Sequence, residues 1–116
     1  MFSFIIDGEP ATKGRPRVTR SGHAYTPKAT KDAEANVLAA FQAQGGRMFD
    51  GLLMVSIGVH TNIARRKDLD NIAKLITDAL NGHAYADDSQ IDDLHIIRFR
   101  GADYPKTVVR IAKIEP

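Results

Sequence analysis

The segment from residue 69 to 80 constrains the fold most, because its apolar side chains recur at the spacing of a helix with one buried face. At about 100° per residue, one stripe collects Leu69, Ile72, Ala73, Leu75, Ile76, Ala79 and Leu80. The opposite side collects Asp70, Lys74, Thr77 and Asp78. Asn81-Gly82 is typical of a helix end. Such a helix must bury its stripe against another layer, so the pattern predicts a sheet beneath it.

Short β-branched and aromatic segments on both sides of this helix predict the strands of that sheet. They cover residues 2–6, 52–60, 94–100 and 107–114. Thr26-Pro27 predicts the N-cap and first position of an earlier helix that runs to about Gln44, where Gly45-Gly46 ends it. The short connection 101–106 predicts an antiparallel pair between the last two strands. The expected fold is a two-layer α+β domain spanning residues 1–116, ordered β-α-β-α-β-β, with two helices covering a small mixed sheet.

Composition excludes several classes of protein. The chain has 116 residues, 43% of them hydrophobic and 26% charged, as in one globular domain. No apolar run is long enough to span a membrane, and no signal peptide precedes the first strand. Without cysteine there is no disulfide framework and no thiolate metal site. We therefore expect a cytoplasmic protein with no membrane partner.

Charge is distributed unevenly along the chain. Residues 12–31 carry six lysines and arginines and no acidic residue. Residues 65–67 are basic as well, whereas four of the seven residues from 87 to 93 are aspartates. This pattern suits a polyanion that is bound broadly and attacked locally. We predict that DNA is bound by Lys13, Arg15, Arg17, Arg20, Arg65, Arg66 and Lys67, the first four on an exposed loop with a hairpin at 20–23.

Each aspartate near the amphipathic helix has a plain structural explanation when taken alone. Asp68 is placed to cap the helix. Asp70 and Lys74 are placed to form a surface ion pair. Asp87 and Asp88 fit an acidic turn capped by Ser89. These explanations do not account for two acidic pairs around one helix in an otherwise basic chain.

Taken together, the same aspartates predict a divalent-metal site for cutting phosphodiester bonds. Mg²⁺ prefers carboxylate oxygen and water, and it needs few protein ligands when substrate phosphate fills the other positions. Such ions activate a water and stabilise the leaving oxygen. A nearby lysine neutralises charge that develops on the phosphorus. Asp-X-Asp alone is a weak signal, but Asp-X-Asp-Asn-X-X-Lys followed by Asp-Asp-Ser-Gln is much stronger.

At these residues the chain resembles the RusA-type Holliday junction resolvases. The similarity in order and spacing lies in Asp68-Leu69-Asp70-Asn71, Lys74, Asp78-Ala79-Leu80 and Asp87-Asp88-Ser89-Gln90. Lys13-Gly14-Arg15-Pro16-Arg17 and Tyr25-Thr26-Pro27 are similar to the start of many members.

The resemblance implies a homodimeric, Mg²⁺-dependent endodeoxyribonuclease that binds four-way DNA junctions and nicks two opposing strands during DNA recombination and repair. Such proteins are common in phages and prophages, so the resemblance implies the cytoplasm of a bacterium or a phage-infected host cell. By motif position, Asp68, Asp70 and Asp88 would bind the metal, Mn²⁺ would be a possible substitute, and Lys74 would be the catalytic lysine. The role of Asp87 stays open, and no small-molecule cofactor is expected.

Two other functions remain open from the residues alone. One is a metal-dependent nuclease for flaps, single strands or RNA. The other is a non-catalytic, basic DNA-binding accessory protein of recombination whose aspartates are caps and turns. A zinc enzyme is not expected, because the histidines have no ligand spacing and no cysteine supplements them: His23, His60, His83 and His95.

Overall fold

A mixed sheet of four strands carries two helices on one face in the computed structural model, which describes residues 1–12, 17–62 and 67–115. The strands of this sheet are β1 (Phe2–Asp7), β4 (Leu53–Thr61), β5 (Ile91–Arg100) and β6 (Lys106–Lys113). The helices are α1 (Lys28–Ala43) and α2 (Leu69–Leu80), and a short 3₁₀ turn covers Asp88–Gln90. A separate hairpin is formed by β2 (Arg17–Val18) and β3 (Ala24–Tyr25). The expected α+β class with two helices on a small mixed sheet is confirmed.

The strand order in the sheet is β1-β6-β4-β5. Strand β6 runs antiparallel to both β1 and β4, whereas β4 and β5 are parallel. The predicted pairing of the last two strands is therefore wrong, because β4 lies between them. Helix α2 supplies the crossover that a parallel β4–β5 pair requires. The connection after β5 then passes the end of β4, where the Ala102 backbone N–H donates to the Thr61 carbonyl.

The core lies between the helix-bearing face of the sheet and the two helices. Alternate residues of β4 are at most 1% exposed: Leu53, Val55, Ile57 and Val59. The apolar stripe of α2 packs against them, with Leu69 partly buried and the other six members buried. The predicted apolar face of α2 is thus confirmed. Side chains repeat every two residues along the strand β4 and every 3.6 residues along the helix α2. Each element therefore has only one orientation that removes its apolar side chains from water.

Helix α1 begins one residue later than predicted. Pro27 is the N-cap residue, in an extended conformation at φ −55° and ψ 146°, and no side chain caps the helix. The Pro27 carbonyl accepts the backbone N–H groups of Thr30 and Lys31. The predicted end is confirmed: Gln44 is the C-cap residue, and Gly45 follows at φ +89°, a conformation that favours glycine.

The predicted hairpin in the basic segment is present. The Thr19 N–H donates to the His23 carbonyl at 2.9 Å, and the Gly22 N–H donates to the Thr19 carbonyl at 3.0 Å. Gly22 has a φ of +86°, as tight hairpin turns require. Neither helix in the described ranges is long and apolar enough to cross a membrane.

Candidate functional site

The polar side of α2 faces a surface groove of about 410 Å³. The far wall of the groove is the 3₁₀ turn and the first half of β5. Because the apolar stripe of α2 is buried, the opposite side of the helix faces this groove. Because β5 pairs in parallel with β4, the 3₁₀ turn that precedes β5 lies next to α2. The lining residues are Asp70, Ala73, Lys74, Thr77, Asp78, Asp88, Leu94 and Ile96.

Asp70 and Lys74 lie one helical turn apart, and both are exposed at the groove. The salt bridges within the described ranges are Lys28–Asp32, His95–Asp93 and Lys113–Asp50. The surface ion pair that would have explained Asp70 and Lys74 structurally is not among them. Both side chains are therefore available to a ligand in the groove.

Asp68 caps the N-terminus of α2. One carboxylate oxygen accepts the Asp70 backbone N–H at 2.9 Å, and the other accepts the Asn71 side-chain amide at 3.5 Å. Its carboxylate is exposed, but it does not line the groove with Asp70 and Asp88. A capping role thus explains Asp68 without a metal, and its role as a ligand stays a prediction.

Asp87 and Asp88 have different surroundings although they are adjacent. Asp87 is the N-cap of the 3₁₀ turn, and its carboxylate accepts the Ser89 backbone N–H at 3.2 Å. Hydrogen bonds from the Ser89 side chain and backbone lower the pKa of Asp87. Asp88 instead is the first residue of the turn and lines the groove.

The side chain of Gln90 holds this turn in place through hydrogen bonds to the backbone. Its Oε1 accepts the backbone N–H groups of Ala86 and Asp87 at 3.0 and 3.2 Å. Its Nε2 donates to the carbonyls of Phe49 and Gly51 at 3.2 and 2.9 Å. All four bonding positions of the amide are used to hold the segment that carries Asp88. Gln90 ends the Asp-Asp-Ser-Gln motif, and the sequence predicted no role for it.

Tyr85 is a second residue of the site without a predicted role. It is 0% exposed, and its hydroxyl donates to the Thr77 carbonyl at 2.5 Å. Burial raises the pKa of Tyr85, and the negative charges of Asp88 and Asp78 raise it further. Both carboxylates are therefore close enough for their negative charge to act on the hydroxyl. Its only signal in the sequence is an aromatic residue two positions before the acidic pair.

Asp78 joins the groove as a third carboxylate. It is half-buried and lies two turns of α2 beyond Asp70, with Lys74 between them. Lys74 and Asp78 follow Asp70 by four and eight residues, so the sequence already predicted all three side chains on one side of the helix. The sequence does not show, however, that Asp88 lies across from them.

The predicted DNA-binding residues have three different outcomes. Arg20 is exposed at the turn of the β2–β3 hairpin, and Arg17 opens β2. Lys67 is half-buried, and its ammonium group donates to the Pro10 carbonyl at 2.5 Å. The Lys67 carbonyl in turn accepts the guanidinium of Arg98. The other four lie outside the described residues: Lys13, Arg15, Arg65 and Arg66.

The donor chemistry of the groove suits a hard divalent cation. Its carboxylates come from Asp70, Asp78 and Asp88, and the chain has no thiolate to favour a softer metal. Within the described ranges no three acidic or histidine side chains converge closely enough to enclose an ion. An ion such as Mg²⁺ needs only one or two protein carboxylates when water and phosphate oxygens complete its coordination.

A small α+β domain with an acidic groove around one lysine is consistent with a phosphodiester-cleaving nuclease. The family model described as endodeoxyribonuclease RusA matches residues 7–112, and the chain belongs to this family. It is therefore an endodeoxyribonuclease of the Holliday junction resolvase type, as the motifs at 68–90 indicated. The chain is also similar to the uncharacterized protein YqaN of Bacillus subtilis (strain 168). That similarity is 29% identity over 138 aligned positions, which cover 97% of this chain and 96% of YqaN.

Proposed function

We propose that this protein resolves four-way DNA junctions by paired, symmetric, Mg²⁺-dependent nicks, acting as a homodimer in DNA recombination and repair. The observation that carries the proposal is the groove in which Asp70 and Lys74 of α2 face Asp88 across the path of a ligand. Family membership supplies the reaction class. The groove supplies the residues that would carry it out.

Asp70 and Asp88 are the carboxylates we assign to the metal. Both are exposed at the groove, and they lie on separate elements that the core and the Gln90 amide hold in place. Asp68 would complete the set from the start of α2, after its Oδ2 releases the 3.5 Å contact to Asn71. When bound, Mg²⁺ or Mn²⁺ would supply positive charge that offsets the charge developing on the scissile phosphate.

Lys74 is the residue we assign to the phosphate itself. Its ammonium group is exposed among carboxylates, so a phosphodiester that approaches the groove meets a positive charge at its centre. There it would neutralise charge on the phosphate oxygens as the bond to the leaving 3′ oxygen breaks. The acidic surroundings make Lys74 unsuited to general binding of the DNA backbone.

Binding of the duplex arms would fall to the basic residues outside the groove. Arg20 is exposed at a hairpin turn, with no acidic residue between positions 10 and 31 to compete for it. Contacts of this kind hold phosphates and give affinity without base specificity.

The test is a cleavage assay on a panel of labelled substrates, with Mg²⁺, with Mn²⁺ and with a chelator. We expect symmetric nicks in opposing strands of a four-way junction with either metal, and none with the chelator. Asp88→Asn should abolish the nicks, whereas Asp103→Asn, on the exposed connection between β5 and β6, should leave them unchanged. Cuts confined to flaps, single strands or RNA would show that the substrate is one of these and not the four-way junction. Tight junction binding without any nick would favour an accessory protein.

A further inference from the structure

The backbone just before α2 is held from two distant parts of the chain. Lys67 precedes the N-cap residue Asp68, and its carbonyl accepts a hydrogen bond from the guanidinium of Arg98 on β5. The Lys67 ammonium group donates to the carbonyl of Pro10, beyond the end of β1, at 2.5 Å. Lys67 is therefore fixed through both its backbone and its side chain, and α2 begins at the next residue but one.

Arg98 reaches this point from the face of β5 that borders the groove. Leu94, Ile96 and Arg98 alternate along the strand, so their side chains lie on one face. The first two line the groove, and Arg98 is half-buried beyond them. The turn that carries Asp88 directly precedes the same strand. One strand thus follows Asp88 at its start and, through Arg98 near its end, contacts the start of the helix that carries Asp70.

The contact matters because the proposed metal site gives Asp68 two tasks. Its carboxylate caps α2, where one oxygen accepts the Asp70 N–H at 2.9 Å and the other accepts the Asn71 amide at 3.5 Å. A carboxylate that turns toward a metal gives up part of this cap, and a helix start is less stable without it. Arg98 bonds to the backbone one residue earlier, so its contact does not depend on where the Asp68 side chain points.

A guanidinium group suits this task. It stays charged at every accessible pH, and its donors lie in one rigid plane. A hydrogen bond from a charged donor is roughly twice as strong as a bond between neutral groups. The Arg98 contact is therefore strong enough to fix the carbonyl from which α2 starts.

We propose that Arg98 is a positioning residue for the metal-binding end of the groove. It holds the Lys67 carbonyl, keeps Asp68 and Asp70 in place relative to Asp88, and touches neither the metal nor the scissile phosphate. The inference rests on the proposed function, because it takes these three aspartates as the metal ligands. Residues that orient metal ligands typically change metal affinity or activity by about 10- to 100-fold when they are substituted.

The test compares variants of Arg98 in two measurements. The first is Mn²⁺ binding without DNA, followed by the electron paramagnetic resonance signal of the free ion. The second is the Mg²⁺ concentration that gives half-maximal single-turnover cleavage of a four-way junction. Arg98→Met keeps the apolar stem and removes every donor, so we expect about tenfold weaker Mn²⁺ binding and a similar rise in the Mg²⁺ requirement.

Three further variants complete the design. Arg98→Lys can still donate to the same carbonyl and should stay within about threefold of the wild type. Arg98→Gln, with a neutral donor on a shorter stem, should lie between Lys and Met, and it decides the outcome if Arg98→Met does not fold. Arg100→Met is the matched control, because Arg100 is exposed and is the next residue on the same face of β5. It should match the wild type in both measurements.

Several results would overturn the proposal. Wild-type values in Arg98→Met and Arg98→Gln, with only the free energy of unfolding lowered, would reduce Arg98 to a stabilising residue and leave the proposed function standing. Weaker junction binding with a salt slope smaller by about 0.9 would make Arg98 a phosphate contact. A wild type that neither binds Mn²⁺ nor nicks a junction would overturn the proposed function together with this inference.

Discussion

The hydroxyl of Tyr85 donates a 2.5 Å hydrogen bond to the backbone carbonyl of Thr77, and this contact joins the two halves of the groove. Thr77 belongs to α2, which carries Asp70 and Lys74, whereas Tyr85 precedes the turn that carries Asp88. The tyrosine is fully buried, so the contact is shielded from water. The distance across the groove therefore depends on a residue that does not line it.

Tyr85→Phe should lower the free energy of unfolding by about 1 kcal/mol, because the Thr77 carbonyl loses its partner. The variant should also lose a pH dependence. The raised pKa of Tyr85 means that the native state keeps its proton where the unfolded chain releases it. The wild type should thus lose stability as pH rises above about 10, and Tyr85→Phe should lose less. Urea unfolding across this range measures both effects, with the exposed Tyr104→Phe as the control.

Gln90→Ala should destabilise the protein by about 2 kcal/mol, since it removes four hydrogen bonds and leaves their backbone partners, among them the part-buried Phe49 carbonyl, without this amide. Junction cleavage should fall as well, because Asp88 would no longer be held at the groove. Urea unfolding and single-turnover cleavage test the two effects. Gln42→Ala, on the exposed side of α1, should change neither. Full cleavage by a destabilised Gln90→Ala would show that the turn does not position Asp88.

Asp70→Asn should abolish cleavage while junction binding survives or tightens. The substitution removes a proposed metal ligand and also a charge that repels phosphate. Gel-shift affinity and cleavage at saturating Mg²⁺ separate the two effects, and Asp103→Asn should resemble the wild type in both. Cleavage by Asp70→Asn at the wild-type rate would remove Asp70 from the mechanism. We expect a smaller loss from Asp87→Asn, whose carboxylate serves as a cap.

Lys74→Ala should slow the chemical step by roughly 100-fold or more and change junction affinity little. The reason is its position among carboxylates, where it meets the scissile phosphate and not the duplex arms. Single-turnover rates at saturating enzyme measure the step directly. A defect in affinity alone would make Lys74 a binding residue.

Arg20→Ala should reduce the slope of log affinity against log salt by about 0.9, as expected when one phosphate contact on duplex DNA is lost. The loss should be similar for junctions of different sequence. Lys113→Ala is a suitable control, because that lysine is ion-paired with Asp50 at 2.6 Å. An unchanged slope with a new preference at the cut site would make Arg20 a base reader.

The local features of this protein follow from the sequence, because they depend on side chains close together in the chain. The stripe of α2 and the alternation in β4 follow from fixed helical and strand periods. The end of α1 follows from the backbone freedom of Gly45, and the basic hairpin from that of Gly22. The groove residues Asp70, Lys74 and Asp78 share one side of α2 for the same reason.

Only the tertiary structure decided which strands and loops became neighbours. β5 is paired with β4 and separated from β6, although the short connection to β6 suggested a hairpin. The buried strand β4 can pair on both edges, and the free energy of burying it outweighs the preference for a local connection. That choice brought Asp88 across from Asp70, left Asp87 as a cap, and gave Tyr85 its contact with α2. It also left the outer edge of β5 without a partner strand among the described residues, because no pattern within a single strand specifies what pairs with it.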